Sequence, residues 1–183
     1  NEALDQIMLS VRGNSEVWVI DHNTTTAEAA GHTWGRYDKG GDLLYRWGNP
    51  TMYRAGTAND RRLYQQHDAH WIDADCPGAG NMMVFNNGLG RNYSTIDEWT
   101  PPVDANGVYT RAAGEAFGPT DFTWTYKADP PSSLYSGAIS SAQRLPNGNT
   151  LICDGVHGVF LEVTAFGETI WRYVNPVVRT GPL

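Results

Sequence analysis

Three stretches of this chain end alike. Residues 41–50 read Gly-Asp-Leu-Leu-Tyr-Arg-Trp-Gly-Asn-Pro, residues 122–130 Phe-Thr-Trp-Thr-Tyr-Lys-Ala-Asp-Pro, and residues 167–176 Gly-Glu-Thr-Ile-Trp-Arg-Tyr-Val-Asn-Pro. Each reads as a short aromatic strand stopped by Asn or Asp before Pro, because proline has no N–H for a ladder and the polar residue favours a turn. Upstream, Leu9-Ser10-Val11-Arg12-Gly13 aligns with Val84-Phe85-Asn86-Asn87-Gly88 and with Leu151-Ile152-Cys153-Asp154-Gly155. The alignment sets Arg12, Asn87 and Asp154 at one level of three equivalent units. Gly80-Asn81 and Gly148-Asn149 supply hairpin-turn chemistry ahead of two of these strands, and a further strand follows the glycine in each unit.

The unit therefore reads as strand, turn, strand, Gly turn, strand, turn, aromatic strand, Pro. That pattern predicts an all-β chain of four-stranded antiparallel β-propeller blades. Residues 1–50 predict a partial blade without its innermost strand, residues 51–130 a blade with a loop insertion, and residues 131–183 a third blade and the start of a further segment. The insertion, between Thr100 and Thr120, carries Pro101-Pro102 and Asn106-Gly107 and reads as a surface loop. With 20 Gly, 10 Pro and 18% charged residues, the composition suits short strands and tight turns; seven Trp offer flat side chains for packing between sheets. About three blades leave two open apolar faces, so the chain is expected to be a fragment of a larger ring or, alternatively, to assemble with copies of itself.

A formal net charge of −7 with no cluster of Lys and Arg argues against a nucleic-acid surface, whereas one or two arginines in a cleft can still attract a small anion. No run of eighteen apolar residues is present to span a membrane. Cys76 and Cys153 lack CxxC spacing and support neither a zinc site nor a redox motif. Cys153 reads as a buried strand thiol and Cys76 as a turn residue, with a disulfide between them as the alternative.

The innermost strand of each blade lines a propeller's central channel, so chemistry is sought there. Two such strands are Gln65-Gln66-His67-Asp68-Ala69-His70-Trp71-Ile72 and Ile139-Ser140-Ser141-Ala142-Gln143-Arg144-Leu145. Regular alternation turns His67 and His70 to opposite faces, which argues against a shared metal, and turns Asp68 away from His67. His70 reads as a structural histidine, and Asp154 as a turn or structural acid.

Gln66-His67-Asp68-Ala69, then Met83-Val84-Phe85-Asn86-Asn87-Gly88-Leu89-Gly90-Arg91 and Tyr93-Ser94, then Leu145-Pro146-Asn147-Gly148-Asn149-Thr150-Leu151, resemble the bacterial arylsulfotransferase family. The resemblance runs over nearly the whole chain. It implies a six-bladed periplasmic or secreted propeller, without a cofactor, that passes a sulfuryl group from an aryl sulfate ester to a phenol through a sulfohistidine. His67 matches the nucleophile of the family's Gln-His motif, and Arg12 matches an arginine on a blade's second strand. A further histidine and asparagine of the family come from a strand that would precede Asn1, so this chain on its own is expected to be inactive.

These residue types suit that chemistry. A neutral imidazole nitrogen can attack sulfur and divide one slow transfer into two steps. A guanidinium stays charged and can meet two sulfuryl oxygens at once. Asn87, level with Arg12 in the next blade, and Arg91, in the loop beyond, are assigned to substrate binding. The competing assignments are an ion pair of Arg12 with Glu16, turn chemistry before Gly88 for Asn87, and a solvated loop position for Arg91. At the level of the whole protein, the competing function is a non-catalytic propeller that binds a ligand or a protein on one face. A quinone-dependent dehydrogenase would want a cofactor-stacking platform and calcium carboxylates, and the sequence shows neither.

Overall fold

Each strand pairs antiparallel with its neighbour in sequence, so the chain meanders outward through one sheet before crossing to the next. In the computed structural model, which describes residues 1–177, the first sheet holds β1 (Gln6–Val11), β2 (Glu16–Asp21) and β3 (Tyr45–Trp47). The second holds β4 (His67–Trp71), β5 (Met82–Asn86), β6 (Thr95–Trp99) and β7 (Trp124–Tyr126). The third holds β8 (Ser141–Arg144), β9 (Thr150–Asp154), β10 (Val159–Val163) and β11 (Thr169–Val174). These are the all-β, blade-like sheets that the repeats predict, with three strands in the first and four in the others. The aromatic segments form the last strand of each sheet. The segment expected to start beyond the third sheet runs into residues 178–183, which lie outside the described residues.

Period-two alternation explains why the middle sheet is the core of the molecule. Met82 and Val84 of β5 join Trp99 in packing against Val17, Val19, Tyr45 and Trp47 of the first sheet. Met83 and Phe85 of the same strand join Ile96 in packing against Ala142, Ile152 and Val163 of the third. Every residue of β5 and β6 is consequently buried, while every residue of β11 is exposed. Trp99 lies flat on Trp47, with ring centroids 4.3 Å apart, and its indole N–H donates to the Tyr45 hydroxyl at 3.1 Å.

The insertion between Thr100 and Thr120 is more than the surface loop its Pro and Gly content suggests. Tyr109, only 7% exposed, stacks on Tyr45 at 4.8 Å and donates its hydroxyl to Gln6 Oε1 at 3.0 Å. The Gly118 and Pro119 carbonyls accept from the Tyr45 hydroxyl and the Trp47 indole at 2.8 and 2.7 Å. A segment of the second blade thereby straps the first. Proline and glycine announced its turns correctly, but the aromatics between them found a hydrophobic seat.

Both cysteines are free, so the disulfide alternative does not hold. Their burial also reverses the expectation, with Cys76 buried and Cys153 half-buried. The cause is the phase of β9, which turns Thr150, Ile152 and Asp154 inward and leaves Leu151 and Cys153 on the other face. Between the second and third sheets, buried Glu98 accepts from Arg144, whose guanidinium lies 4.5 Å over the Trp124 ring.

The two-sided core sets a stability contrast. Trp99→Ala is expected to lower the unfolding free energy by about 3–5 kcal/mol, as for other large-to-small core changes. Phe166→Ala, at a turn position 94% exposed, should change it by less than about 0.5 kcal/mol. Denaturant melts of the two variants check this.

Candidate functional site

The strands that the repeats align, β1, β5 and β9, run out at one rim. Arg12 follows β1 in a short 3₁₀ turn (Arg12–Asn14), Asn87 follows β5, and Asp154 closes β9. His67 opens β4 opposite Phe85 and lies in reach of this rim.

The approach to His67 is fixed by side chains that imitate a strand ladder. Asn86 Oδ1 accepts from the Tyr64 N–H at 2.8 Å, while its Nδ2 donates to the Arg62 carbonyl at 3.0 Å and to Asp97 Oδ2 at 2.7 Å. The Ser15 hydroxyl accepts from the Gln65 N–H at 3.1 Å and from Arg61 Nη2 at 2.7 Å. Gln66, wholly buried, donates to the Glu16 carbonyl at 2.8 Å and to the Ser10 hydroxyl at 3.3 Å. The Gln-His segment is thus fastened to the β1–β2 turn that carries Arg12, and β1 lies against β4.

His67 Nδ1 sits 2.7 Å from Asn87 Oδ1. Its Nε2 makes no hydrogen bond among the described residues. Asn87 is fully buried, and its Nδ2 donates to the Ser136 and Ile139 carbonyls of the next unit at 2.7 and 2.8 Å. Both polar ends of Asn87 are therefore engaged within the protein. Gly88 comes next with φ +75°, and a Cβ there would stand 1.8 Å from the Tyr93 carbonyl oxygen, so no other residue fits.

One expectation fails at Asp68. Its φ of +56° marks a bulge, with the register shifting so that His67 faces Phe85 and His70 faces Met83. Phe85 and Met83 share one face of β5, so the extra residue cancels the alternation that would have separated the two histidines. Nothing in Gln-His-Asp-Ala-His signals a bulge, because Asp is only one of several residues tolerant of a left-handed backbone. His70 Nδ1 donates to the Asp68 carbonyl at 2.9 Å, and the Asp68 carboxylate accepts from the Ala142 N–H of β8 at 3.1 Å. No hydrogen bond joins Asp68 to His67.

Arg12 is exposed and has no ion pair among the described residues. The competing partner, Glu16, is wholly buried and held by Arg46 Nε and Nη2 at 2.9 and 2.6 Å, with the Trp18 indole at 3.1 Å. Arg91 is half-buried, its guanidinium 4.5 Å over Tyr64 and 4.8 Å over Tyr93, with Nη2 donating to the Thr95 hydroxyl at 3.3 Å. Asp154 accepts from His157 Nδ1 at 2.8 Å and from its N–H at 3.3 Å, which fits a structural acid at a turn. Tyr64, Ser136 and Ile139 were not singled out from the sequence. Two of them act through backbone carbonyls, which leave no signature in residue type.

Asp97, behind Asn86, is completely buried; burial pushes its carboxyl up, against hydrogen bonds from Asn86 and Thr95 that pull it down. A family model described as arylsulfotransferase (ASST) matches residues 1–177 of the chain. No curated protein matches it significantly.

Because the folded Asp97 carboxyl titrates above its unfolded value, its contribution to stability is full at low pH and is lost as pH rises through the folded value. Wild-type unfolding free energy should carry that downward component above the ordinary carboxylate range, and Asp97→Asn should lack it. Denaturant melts over a pH series read the difference; identical slopes would mean that Asp97 does not titrate there.

Proposed function

We propose that this chain, which belongs to the arylsulfotransferase family, supplies the nucleophile and an anion-binding arginine of a site that moves a sulfuryl group from an aryl sulfate to a phenol. The observation that carries the reading is His67. Its ring is anchored at Nδ1 by Asn87 and unencumbered at Nε2, on a strand held against the turn that bears Arg12.

In the first step the Nε2 lone pair forms an N–S bond while the sulfur–aryl oxygen bond breaks, and the phenolate departs with that electron pair. In the second, the acceptor phenol oxygen attacks sulfur, the N–S pair returns to the ring, and the acceptor's proton passes to solvent, from which the first phenolate takes its own. The Arg12 guanidinium, unpaired by any carboxylate of the described residues, is suited to face the sulfuryl oxygens as their charge shifts. Arg91 acts at the edge of this site through its fixed position on Tyr64. Further blades, or further copies, would cover the apolar side chains exposed at the two outer sheets, among them Ile7, Leu9, Trp171 and Tyr173. A periplasmic or secreted setting would accord with the family.

The test is sulfotransfer from a chromogenic aryl sulfate to a phenol by the intact protein, which carries the whole site. His67→Ala should lower kcat by at least about 10³-fold. Arg12→Ala should lower it by roughly 10²–10³-fold, as for loss of one oxyanion donor. Donor alone should add an acid-labile sulfuryl group to wild type and none to His67→Ala; an unchanged rate in His67→Ala would sink the reading.

A further inference from the structure

Resting on the reading of His67 as nucleophile, we infer that Asn87 is its positioning residue: locked by two carbonyls of the following unit, it holds the imidazole with its proton on Nδ1 and its lone pair on Nε2. The two ends of an amide side chain are normally assigned by their surroundings. Here the surroundings decide it. Carbonyl oxygens of Ser136 and Ile139, 2.7 and 2.8 Å away, can be met only by the Nδ2 hydrogens. The end facing His67 Nδ1 at 2.7 Å is therefore Oδ1, which accepts and cannot donate. Nδ1 must carry the hydrogen.

The lock is closed and strained. The Ser94 hydroxyl donates to the Asn87 carbonyl at 2.8 Å and accepts from the Ser136 N–H at 3.0 Å, so Asn87 and Ser136 are tied twice. Ile139 presents its carbonyl from a φ of +50°, a left-handed conformation that is costly for a β-branched residue and persists only where its surroundings impose it. Its side chain lies over Gly155, where a Cβ would come within 2.9 Å of Ile139 Cδ1.

The consequence is chemical. A neutral imidazole in water prefers to carry its proton on Nε2, so the protein reverses the intrinsic preference and frees that nitrogen for attack. When Nε2 takes the sulfuryl group the ring becomes cationic and keeps its Nδ1 hydrogen. The bond to Asn87 is then charge-assisted and stronger than in the resting ring. Asn87 thereby favours the intermediate over the ground state, which is the form of binding that accelerates a step.

The ¹⁵N resonances of His67 in this chain, above the pH at which the ring is cationic, test this without any variant. A protonated Nδ1 and a bare Nε2 are expected; a protonated Nε2 would overturn the inference whether or not sulfotransfer occurs. In the intact protein Asn87→Ala should move the proton toward Nε2 and lower kcat by about 10²- to 10⁴-fold, the upper figure being that of a histidine held in the wrong tautomer, with KM changed less than about threefold. Retention of the Nδ1 tautomer in Asn87→Ala, or an unchanged kcat, would equally overturn it. Absence of sulfotransfer from the intact wild-type protein would sink the functional reading instead, and the resonances would still decide what Asn87 does.

Discussion

The middle sheet has no free face. β5 sends Met82 and Val84 toward one neighbouring sheet and Met83 and Phe85 toward the other. A strand buried on both sides cannot slip by one residue without exchanging two differently shaped hydrophobic sets. Its register is therefore fixed more firmly than that of β1 or β11, each of which has an exposed side. Asn86 and Asn87 stand at the end of this strand, and they inherit its precision. A polar pair placed there can act as a reference point for loops and strands on either side.

The two asparagines use that position differently. Asn86 completes a ladder for Arg62 and Tyr64, fixing the path into β4. Asn87 reaches the following unit and the ring of His67. Gln66 adds the link to the preceding sheet through the Glu16 carbonyl. His67 is thus located by its own sheet, by the first sheet and by the segment leading into the third at once. Each of these contacts engages a buried polar group whose loss would leave a partner unsatisfied, so the arrangement resists partial loosening.

The repeated aromatic strands, the Gly turns and the Asn/Asp-Pro stops made the sheets legible, because each is a local consequence of residue type. His67 and Arg12 came from a family resemblance, which the family match over residues 1–177 supports. Less could be read where backbone geometry or long-range packing decides. The bulge at Asp68 changes which way His70 points, yet no residue there demands it. Tyr109 and Phe117 lie in a stretch whose prolines and glycines suggest an exposed loop, and their seat on Tyr45 belongs to a different blade. Asn87 was legible as a polar residue at the right level, but its partners Ser136 and Ile139 contribute carbonyls, which every residue has.

Electrostatics completes the case for the rim. A chain with net charge −7 would repel a sulfate ester if its acids faced the site. Glu16 is neutralised by Arg46, and Glu98 by Arg144, both in buried pairs. Burial holds Asp97 toward its neutral form. Asp68, the acid next to His67 in sequence, turns its carboxylate to the backbone of β8. Arg12 is left without a carboxylate partner among the described residues, and Arg61 and Arg91 both lie against Tyr64, three residues before His67. The acids nearest His67 are thus paired, buried or turned away, and Asp154 on the same rim is bonded to His157. A single buried glutamate released from its arginine would alter the local field more than several added charges on the outer strands, where water screens them.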